Sequence, residues 1–128
     1  MDYICGPVIL YSQDKIRMLD FLSDVFEFEV DSERGLVQSG AFLLKLIELP
    51  EKEKENFQSL GIKFAFKIKD PHELLELVNK YNFFLYRNAD KNEAREVCLY
   101  EKGQKSLTIK DIDGRIWQFD VNESVYDC

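Results

Sequence analysis

The sequence has few of the residues on which nucleophilic catalysis and zinc sites depend. Its 128 residues include one histidine, His72, and three cysteines, Cys5, Cys98 and Cys128. The cysteines have no C-x-x-C spacing, and an odd number cannot be fully paired within one chain, so free thiols are expected. No serine or cysteine has a histidine base in a recognisable pattern, and no glycine-rich phosphate loop or dinucleotide fingerprint is present. The sequence therefore carries no direct sign of a nucleophilic enzyme or a nucleotide-binding protein.

Positive charge is scarce relative to negative charge. Lysine and arginine number 17 against 24 aspartates and glutamates, which makes the net charge −7 at pH 7. Such a balance repels nucleic-acid backbones and anionic lipid surfaces, so neither is expected as a partner. No apolar run approaches the roughly 18 residues of a membrane span, and residues 1–7 lack a basic stretch followed by an apolar one. We therefore expect a cytoplasmic protein with no nucleic-acid or membrane partner.

The residues that are present favour one domain with an internal repeat. Hydrophobic residues make up 45% of the chain, enough for a single core. A shift of 56 positions aligns residues of similar character, and the second copy repeats the aspartate and the apolar periodicity of the first. The aligned positions are Val8, Leu10, Asp14, Met18, Leu19, Leu22, Val25 and Phe28 in the first copy and Phe64, Phe66, Asp70, Leu74, Leu75, Val78, Tyr81 and Phe84 in the second.

The second copy predicts a strand followed by a helix. Ile62–Ile68 alternates apolar and polar side chains with a period of two, which is typical of a half-buried strand. The segment 70–73, Asp-Pro-His-Glu, is a helix-start signal, and apolar residues then recur at helical spacing through Tyr81. Asn82 tolerates positive φ and is predicted to end this helix before an extended segment at 83–87.

The remaining segments complete two similar modules. A first helix is predicted after the cap residue Asp14, and the charged segment 49–56 is predicted to be a solvated linker or a short exposed helix. Gly114 is predicted to occupy a hairpin turn at 111–114 because glycine adopts positive φ without strain. Further strands are predicted at 28–31, 35–38 and 42–48 in the first copy and at 95–101, 106–110 and 116–121 in the second.

These elements predict an α+β fold built from two βαβββ modules. The first module comprises residues 1–49 and the second residues 61–122, with a linker at 50–60 and a short tail at 123–128. Each helix covers the apolar face of its own strands, so the opposite strand faces are expected to form a curved mixed sheet around a shared cleft. That cleft is the candidate site.

With this organisation, the sequence resembles the vicinal oxygen chelate superfamily, which includes glyoxalase I, extradiol dioxygenases and the fosfomycin- and bleomycin-resistance proteins. The resemblance spans nearly the whole chain and is carried by Val8–Tyr11, Asp20–Leu22, Gly61–Tyr81 and Asp111–Phe119. Two departures are visible. Ile112 replaces the usual proline of an Asp-Pro-Asp-Gly turn, and Glu27 stands where a glycine commonly ends the first helix.

The resemblance implies four positions for the side chains that hold a divalent metal in catalytic members, two in each module. In this chain those positions are Pro7, Lys45, Lys63 and Gln118. Proline has no side-chain donor atom, an ammonium repels a cation, and a lone glutamine oxygen is a weak ligand. A shifted register within the strand at 42–48 would bring in Glu48, which alone would hold a metal loosely. We therefore predict no catalytic residue, no metal and no cofactor.

The predicted cleft has a mixed apolar and polar lining. Because Lys45 and Lys63 stand at the positions of metal ligands, they are expected to attract an anion, which favours a small amphipathic ligand with a carboxylate or phosphate group. Alternatively, the lysines extend into solvent at the rim. The predicted ligand-binding residues are Ile9, Tyr11, Lys45, Ile47, Lys63, Ala65, Lys67 and Gln118.

Three functions are compatible with this pattern. The residues favour a metal-free protein that binds a small molecule, similar in principle to the bleomycin-resistance proteins. A metal-dependent lyase, isomerase or dioxygenase with a different ligand set is the second interpretation, and an interaction module whose cleft is filled by its own side chains is the third. The resemblance also predicts a homodimer.

Overall fold

The computed structural model describes residues 1–55, 57, 62–88 and 98–122. Its internal contacts divide the chain into two compact units, Met1–Gln58 and Ser59–Cys128. Each unit contains a mixed β-sheet and a long helix, as the α+β prediction requires. Among the described residues, no helix is long and apolar enough to cross a membrane.

The first unit contains the elements predicted for the first module. Its four strands form a sheet in the order β1-β4-β3-β2, with β1 parallel to β4 and the other neighbours antiparallel. The strand β1 pairs with β4, the last strand of the unit. This parallel pairing is possible because a long connection that includes a helix separates the two strands in the chain. The elements are β1 (Val8–Ser12), α1 (Lys15–Phe26), β2 (Glu29–Asp31), β3 (Leu36–Ser39), β4 (Phe42–Glu48) and a short α2 (Glu51–Lys54).

The apolar stripe of α1 lies against one face of this sheet. The helix contacts β1, β2 and β4, and its side chains Phe21, Leu22 and Val25 are fully buried. Leu44 and Leu46 of β4 are buried as well, whereas Lys45 between them is exposed. This alternation follows from the period of two in a strand and separates a buried face of the sheet from an open one.

The two ends of α1 are defined by particular residues. Asp14 caps the beginning because its Oδ1 accepts a hydrogen bond from the backbone N–H of Arg17 at 3.1 Å, as predicted. The helix ends at Glu27, which adopts the left-handed conformation with φ of 59° and donates its N–H to the carbonyl of Ser23 at 3.1 Å. This is the C-terminal motif that glycine usually supplies.

The second unit has the same strand-helix beginning. Its three described strands form a sheet in the order β5-β7-β6, with β5 parallel to β7 and β7 antiparallel to β6. The ring of Trp117 is fully buried and stacks on Phe64 with 4.4 Å between centroids. The elements are β5 (Lys63–Ile68), α3 (His72–Arg87), β6 (Ser106–Lys110) and β7 (Ile116–Val121).

Two predictions for the second unit need correction or fall outside the described residues. The helix α3 does not end at Asn82 but continues to Arg87, so the segment 83–87 is helical and not extended. Asn82 uses its side chain in a tertiary contact, and Asn88 ends the helix by donating its N–H to the carbonyl of Phe84. The strand predicted at 95–101 lies partly outside the described residues, and residues 98–101 are not in a strand. The tail at 123–128 also lies outside them.

Candidate functional site

Four of the predicted binding residues lie on one face of the second sheet. Phe64, Phe66 and Ile68 alternate along β5 with Lys63, Ala65 and Lys67, and only the latter three are exposed. The register places Gln118 of β7 directly between Ala65 of β5 and Thr108 of β6. We call this side the open face of the second sheet. Its nine residues are Lys63, Ala65, Lys67, Ser106, Thr108, Lys110, Ile116, Gln118 and Asp120.

A hydrogen-bonded group on this face is centred on Asp120. Ser106 Oγ donates to Asp120 Oδ1 at 2.6 Å, and Gln118 Nε2 donates to both carboxylate oxygens at 3.1 Å. Lys67 Nζ is 4.0 Å from Asp120 Oδ2. The hydrogen bond from Ser106 is the largest influence that lowers the pKa of Asp120, followed by that from Gln118 and the charges of Lys67 and Lys63. Asp120 is therefore ionised at neutral pH.

The open face of the second sheet is positively charged although the chain is acidic. Three lysines and one aspartate belong to its nine positions, whereas the net charge of the chain is −7. Ser106, Thr108 and Lys110 of β6 also belong to this face but are not among the predicted binding residues. Their membership of this face is visible in the sequence only through the alternating buried residues Leu107 and Ile109.

The other predicted binding residues lie on the open face of the first sheet. Ile9 and Tyr11 of β1 are opposite Lys45 and Ile47 of β4, in the parallel register of these strands. Ile9 is 52% exposed and Tyr11 is 48% exposed. Lys45 is also exposed, and its opposite neighbour on β3 is Leu36. The side chains next to Lys45 on this face are therefore apolar. Farther from β1, the register adds Gln38, Glu29 and Asp31 to the same face.

The residues at the implied metal positions do not form a set of metal ligands in either unit. In the first unit, Pro7 directly precedes β1 and Lys45 lies on the open face. In the second unit the positions hold Lys63 and Gln118. Among the described residues, no group of three or more histidines, cysteines, aspartates and glutamates is arranged to hold a metal ion. This donor chemistry does not fit zinc, nickel, manganese or iron.

The two remaining candidate ligands lie elsewhere. Glu48 is opposite Ser12, a buried residue, so it does not share the open face with Lys45. Its Oε1 accepts a hydrogen bond from the N–H of Lys15 at 3.2 Å. His72 is exposed in the first turn of α3, where its N–H donates to Asp70 Oδ1 at 2.9 Å. The observed register therefore does not bring Glu48 to the position of Lys45.

A buried polar cluster fixes the beginning of β7, the strand that carries Gln118. Asp111 Oδ1 accepts hydrogen bonds from the N–H groups of Asp113 and Arg115, and Asp111 Oδ2 accepts one from Trp117 Nε1 at 2.9 Å. Arg115 is 1% exposed, and its Nη1 is 3.5 Å from Asp111 Oδ2. Burial raises the pKa of Asp111, while Trp117 and Arg115 offset part of this rise. Gly114 completes the predicted turn with φ of 87°.

The first unit also contains a cavity that was not predicted from the sequence. Its volume is about 440 Å³, and it lies beside α1 and the β2–β3 connection, so it includes none of the predicted binding residues. We consider the open faces the stronger candidates because their side chains occupy the implied ligand positions. The cavity is lined by Lys15, Ile16, Leu19, Asp20, Ser23, Val30, Ser32 and Glu48.

Solved structures of other proteins are similar to this chain, whereas comparisons of its sequence found no match. No protein-family model matches the chain, and no curated protein sequence matches it. A hypothetical protein, SA1046, from S. aureus is 19% identical with a TM-score of 0.62, over 93% of this chain and 97% of that one. The fosfomycin resistance protein FosX from Listeria monocytogenes is 14% identical with a TM-score of 0.63, over 95% and 93% of the two chains.

A third similar structure belongs to an enzyme. Lactoylglutathione lyase from Agrobacterium tumefaciens is 19% identical with a TM-score of 0.52, over 94% of this chain and 95% of that one. FosX and the lyase are members of the vicinal oxygen chelate superfamily. At these identities the likeness concerns the fold, and it extends over nearly the whole of each chain. This chain therefore has the vicinal oxygen chelate fold, as the resemblance predicted.

Proposed function

We propose that this protein binds a small amphipathic anion on the open face of one of its sheets, without a metal and without chemical turnover. The observation that carries the proposal is the chemistry at the implied ligand positions. Lys45 and Lys63 offer N–H donors there, in place of the lone pairs that a divalent cation requires. An anion is the partner that such donors bind.

The charge distribution supports an anionic ligand. The open face of the second sheet carries more positive than negative side chains within a chain of net charge −7. Asp120 offsets part of the charge of Lys67, to which it is 4.0 Å distant. Lys63 has no ion pair with the described residues and is exposed, so it remains available to a ligand.

The open face of the first sheet, considered separately, also offers apolar contacts beside a positive charge. Ile9 and Tyr11 expose about half of their surfaces next to Ile47. Aromatic and aliphatic side chains in such a position bind apolar ligand groups through the area that they remove from water. Lys45 lies among these apolar side chains, so a ligand with an aromatic ring and an acidic group suits this face taken by itself.

A comparison of charged and neutral ligands of the same shape tests the proposal. Phenylacetate and sulfate are expected to shift the NMR signals of Lys63 and Gln118, whereas the neutral phenylacetamide is expected to bind at least about fivefold more weakly than phenylacetate. Lys63→Gln should weaken phenylacetate binding about fivefold. Lys52→Gln, on the exposed helix α2, is the matched control and should leave it unchanged. Equal binding of the charged and neutral ligands would contradict the proposal.

Metal analysis separates this proposal from a metal-dependent enzyme. One FosX structure from Listeria monocytogenes is of a complex with Mn(II) and sulfate ion, so manganese belongs in the test. We expect protein purified without chelators to contain no stoichiometric manganese, nickel, zinc or iron, and a chelator to leave its melting temperature unchanged. A stoichiometric metal would favour the enzyme. The homodimer stays a prediction that light scattering tests.

A further inference from the structure

The orientation of the Gln118 amide is determined by its neighbour. Gln118 Nε2 is 3.1 Å from both oxygens of Asp120, which also accepts a hydrogen bond from Ser106 Oγ at 2.6 Å. An ionised carboxylate only accepts hydrogen bonds, so the NH₂ group of the amide must be the one that faces it. The lowered pKa of Asp120 agrees with an ionised group. The opposite amide atom, Oε1, is therefore turned away from Asp120.

Gln118 Oε1 has no hydrogen-bond partner in the part of the chain that the structure describes. It is not among the buried polar atoms that lack a partner, so a ligand can reach it. It thus adds a neutral hydrogen-bond acceptor to a face on which the exposed ammonium of Lys63 forms no ion pair with the described residues. The residue directly opposite Gln118 on β5 is Ala65, whose small side chain leaves space above the sheet. Lys63 lies two residues before Ala65 on the same face, so Lys63 and Gln118 are diagonal neighbours on adjacent strands.

We infer that the ligand of this face is an anion with a hydrogen-bond donor beside its charge, such as an α-hydroxy carboxylate or a hydrogen phosphate. The negative group would interact with Lys63, and the hydroxyl would donate to Gln118 Oε1. Asp120 acts as a positioning residue because it holds the amide in the accepting orientation without contacting the ligand. This inference rests on the proposed function, since it specifies the anion that the open face recognises.

Two pairs of ligands isolate the hydroxyl donor. Hydrogen phosphate and sulfate are both tetrahedral dianions at mildly alkaline pH, but only hydrogen phosphate retains an O–H group. Mandelate and phenylacetate share a phenyl ring and a carboxylate, but only mandelate has an α-hydroxyl. We expect the ligand with the hydroxyl to bind about fivefold more tightly in at least one pair, by NMR titration. The pair that shows the preference identifies the class of ligand.

Variants test whether Gln118 and Asp120 cause the preference. Gln118→Met keeps the length of the side chain but removes the acceptor, and Asp120→Asn removes the charge that orients the amide. Both are expected to reduce the preference to about one, and circular dichroism verifies that they are folded. Glu76→Gln, the same carboxylate-to-amide change on an exposed position of α3, should retain it. The ratio of two affinities cancels the general effect of a changed net charge.

The outcomes distinguish the inference from the proposed function. Equal affinities within both pairs would overturn the inference and leave anion binding intact. A preference that survives in Gln118→Met would likewise overturn the inference, because the donor would then be recognised elsewhere. Survival of the preference in Asp120→Asn alone would overturn the positioning role. Binding of none of the four ligands would overturn both the inference and the proposed function.

Discussion

At the scale of single residues, Glu27 has a backbone conformation that favours glycine. Its φ of 59° lies in the left-handed region, where a Cβ atom approaches the neighbouring carbonyl. The α1 terminus needs this conformation to turn the chain toward β2, so the strain is tolerated. Glu27 stands where a glycine is common in the resembled family. The positive φ explains that preference, because glycine adopts this conformation without strain.

We predict that Glu27→Gly stabilises the protein by about 0.5–1 kcal/mol, because relief of the left-handed strain exceeds the entropic cost of glycine. Urea denaturation measures the change in the free energy of unfolding. Glu29→Gly, two residues later in the strand β2, is the matched control and should destabilise by a similar amount. A loss of stability in Glu27→Gly would contradict the argument.

Asp111 is a second residue whose role depends on its surroundings. The motif Asp-Ile-Asp-Gly predicted a turn, and the turn is present with Gly114 at positive φ. The burial of Arg115 beside Asp111 was not predicted. Arginine is almost always exposed unless it is paired, and the sequence does not show which residues pair with it. Only the tertiary structure brings the indole N–H of Trp117 to the same carboxylate.

We predict that Asp111→Ala lowers the free energy of unfolding by about 3–5 kcal/mol. The buried indole N–H of Trp117 and two backbone N–H groups lose their acceptor, and the buried Arg115 keeps only Asp113, at 3.2 Å, as a carboxylate partner. Thermal and urea denaturation measure the loss. Asp31→Ala is the control, since Asp31 pairs with Arg34 at an exposed position and its removal should cost at most about 1 kcal/mol. Equal effects of the two substitutions would contradict a structural role for the buried cluster.

At the scale of elements, the long helix α3 shows where local signals fail. Asn82 is a reasonable helix terminator when only its backbone preference is considered. In the structure its amide instead joins the helix to the segment at Cys98, donating from Nδ2 to the Cys98 carbonyl and accepting the Cys98 N–H at Oδ1, both at 2.8 Å. This pair resembles the bonding of a neighbouring strand, and it satisfies both backbone groups of a residue outside regular structure.

We predict that Asn82→Ala destabilises the protein by about 1–3 kcal/mol, because both polar backbone groups of the half-buried Cys98 lose their partner. Asn82→Asp should also destabilise, since a carboxylate cannot donate to the Cys98 carbonyl. Asn79→Ala, an exposed position of the same helix, is the control and should be neutral or slightly stabilising. Chemical denaturation distinguishes these cases. An Asn82→Ala variant as stable as Asn79→Ala would contradict a stabilising role for the two hydrogen bonds between Asn82 and Cys98.

At the scale of the whole molecule, two aspartates make opposite contributions to the pH dependence of stability. The pKa of Asp120 is lowered from 3.8, chiefly by the Ser106 hydrogen bond, so its stabilising contribution exists above that pH and disappears as the pH falls through the folded-state pKa. Burial raises the pKa of Asp111 above 3.8. Its contribution is therefore complete below that value and is lost as the pH rises through its folded-state pKa.

We predict that Ser106→Ala raises the pKa of Asp120 toward 3.8 and that the variant therefore loses less stability than the wild type on acidification. NMR titration of the Asp120 carboxyl carbon measures the pKa, and urea denaturation below pH 3.8 measures the stability. Thr108→Ala, on the same strand and the same face, is the control and should leave the pKa unchanged. An unchanged Asp120 midpoint in Ser106→Ala would contradict the assignment.

The sequence by itself determined the α+β fold and the position of most elements along the chain. Alternation with a period of two identified β5, and the Asp14 cap identified the start of α1, because these signals arise from neighbouring residues along the chain. The residues at the positions that the resemblance implies for a metal could also be named from the sequence, and their role stays a prediction.

The tertiary structure decided the features that depend on residues far apart in the sequence. It placed Ser106 and Asp120 in contact across the strands β6 and β7, turned the Gln118 amide toward that carboxylate, and extended α3 beyond Asn82. No periodic pattern encodes such contacts, because a hydrogen bond between distant residues exists only after the strands and helices have taken their places. Local chemistry thus determined the elements, and packing determined which polar groups meet.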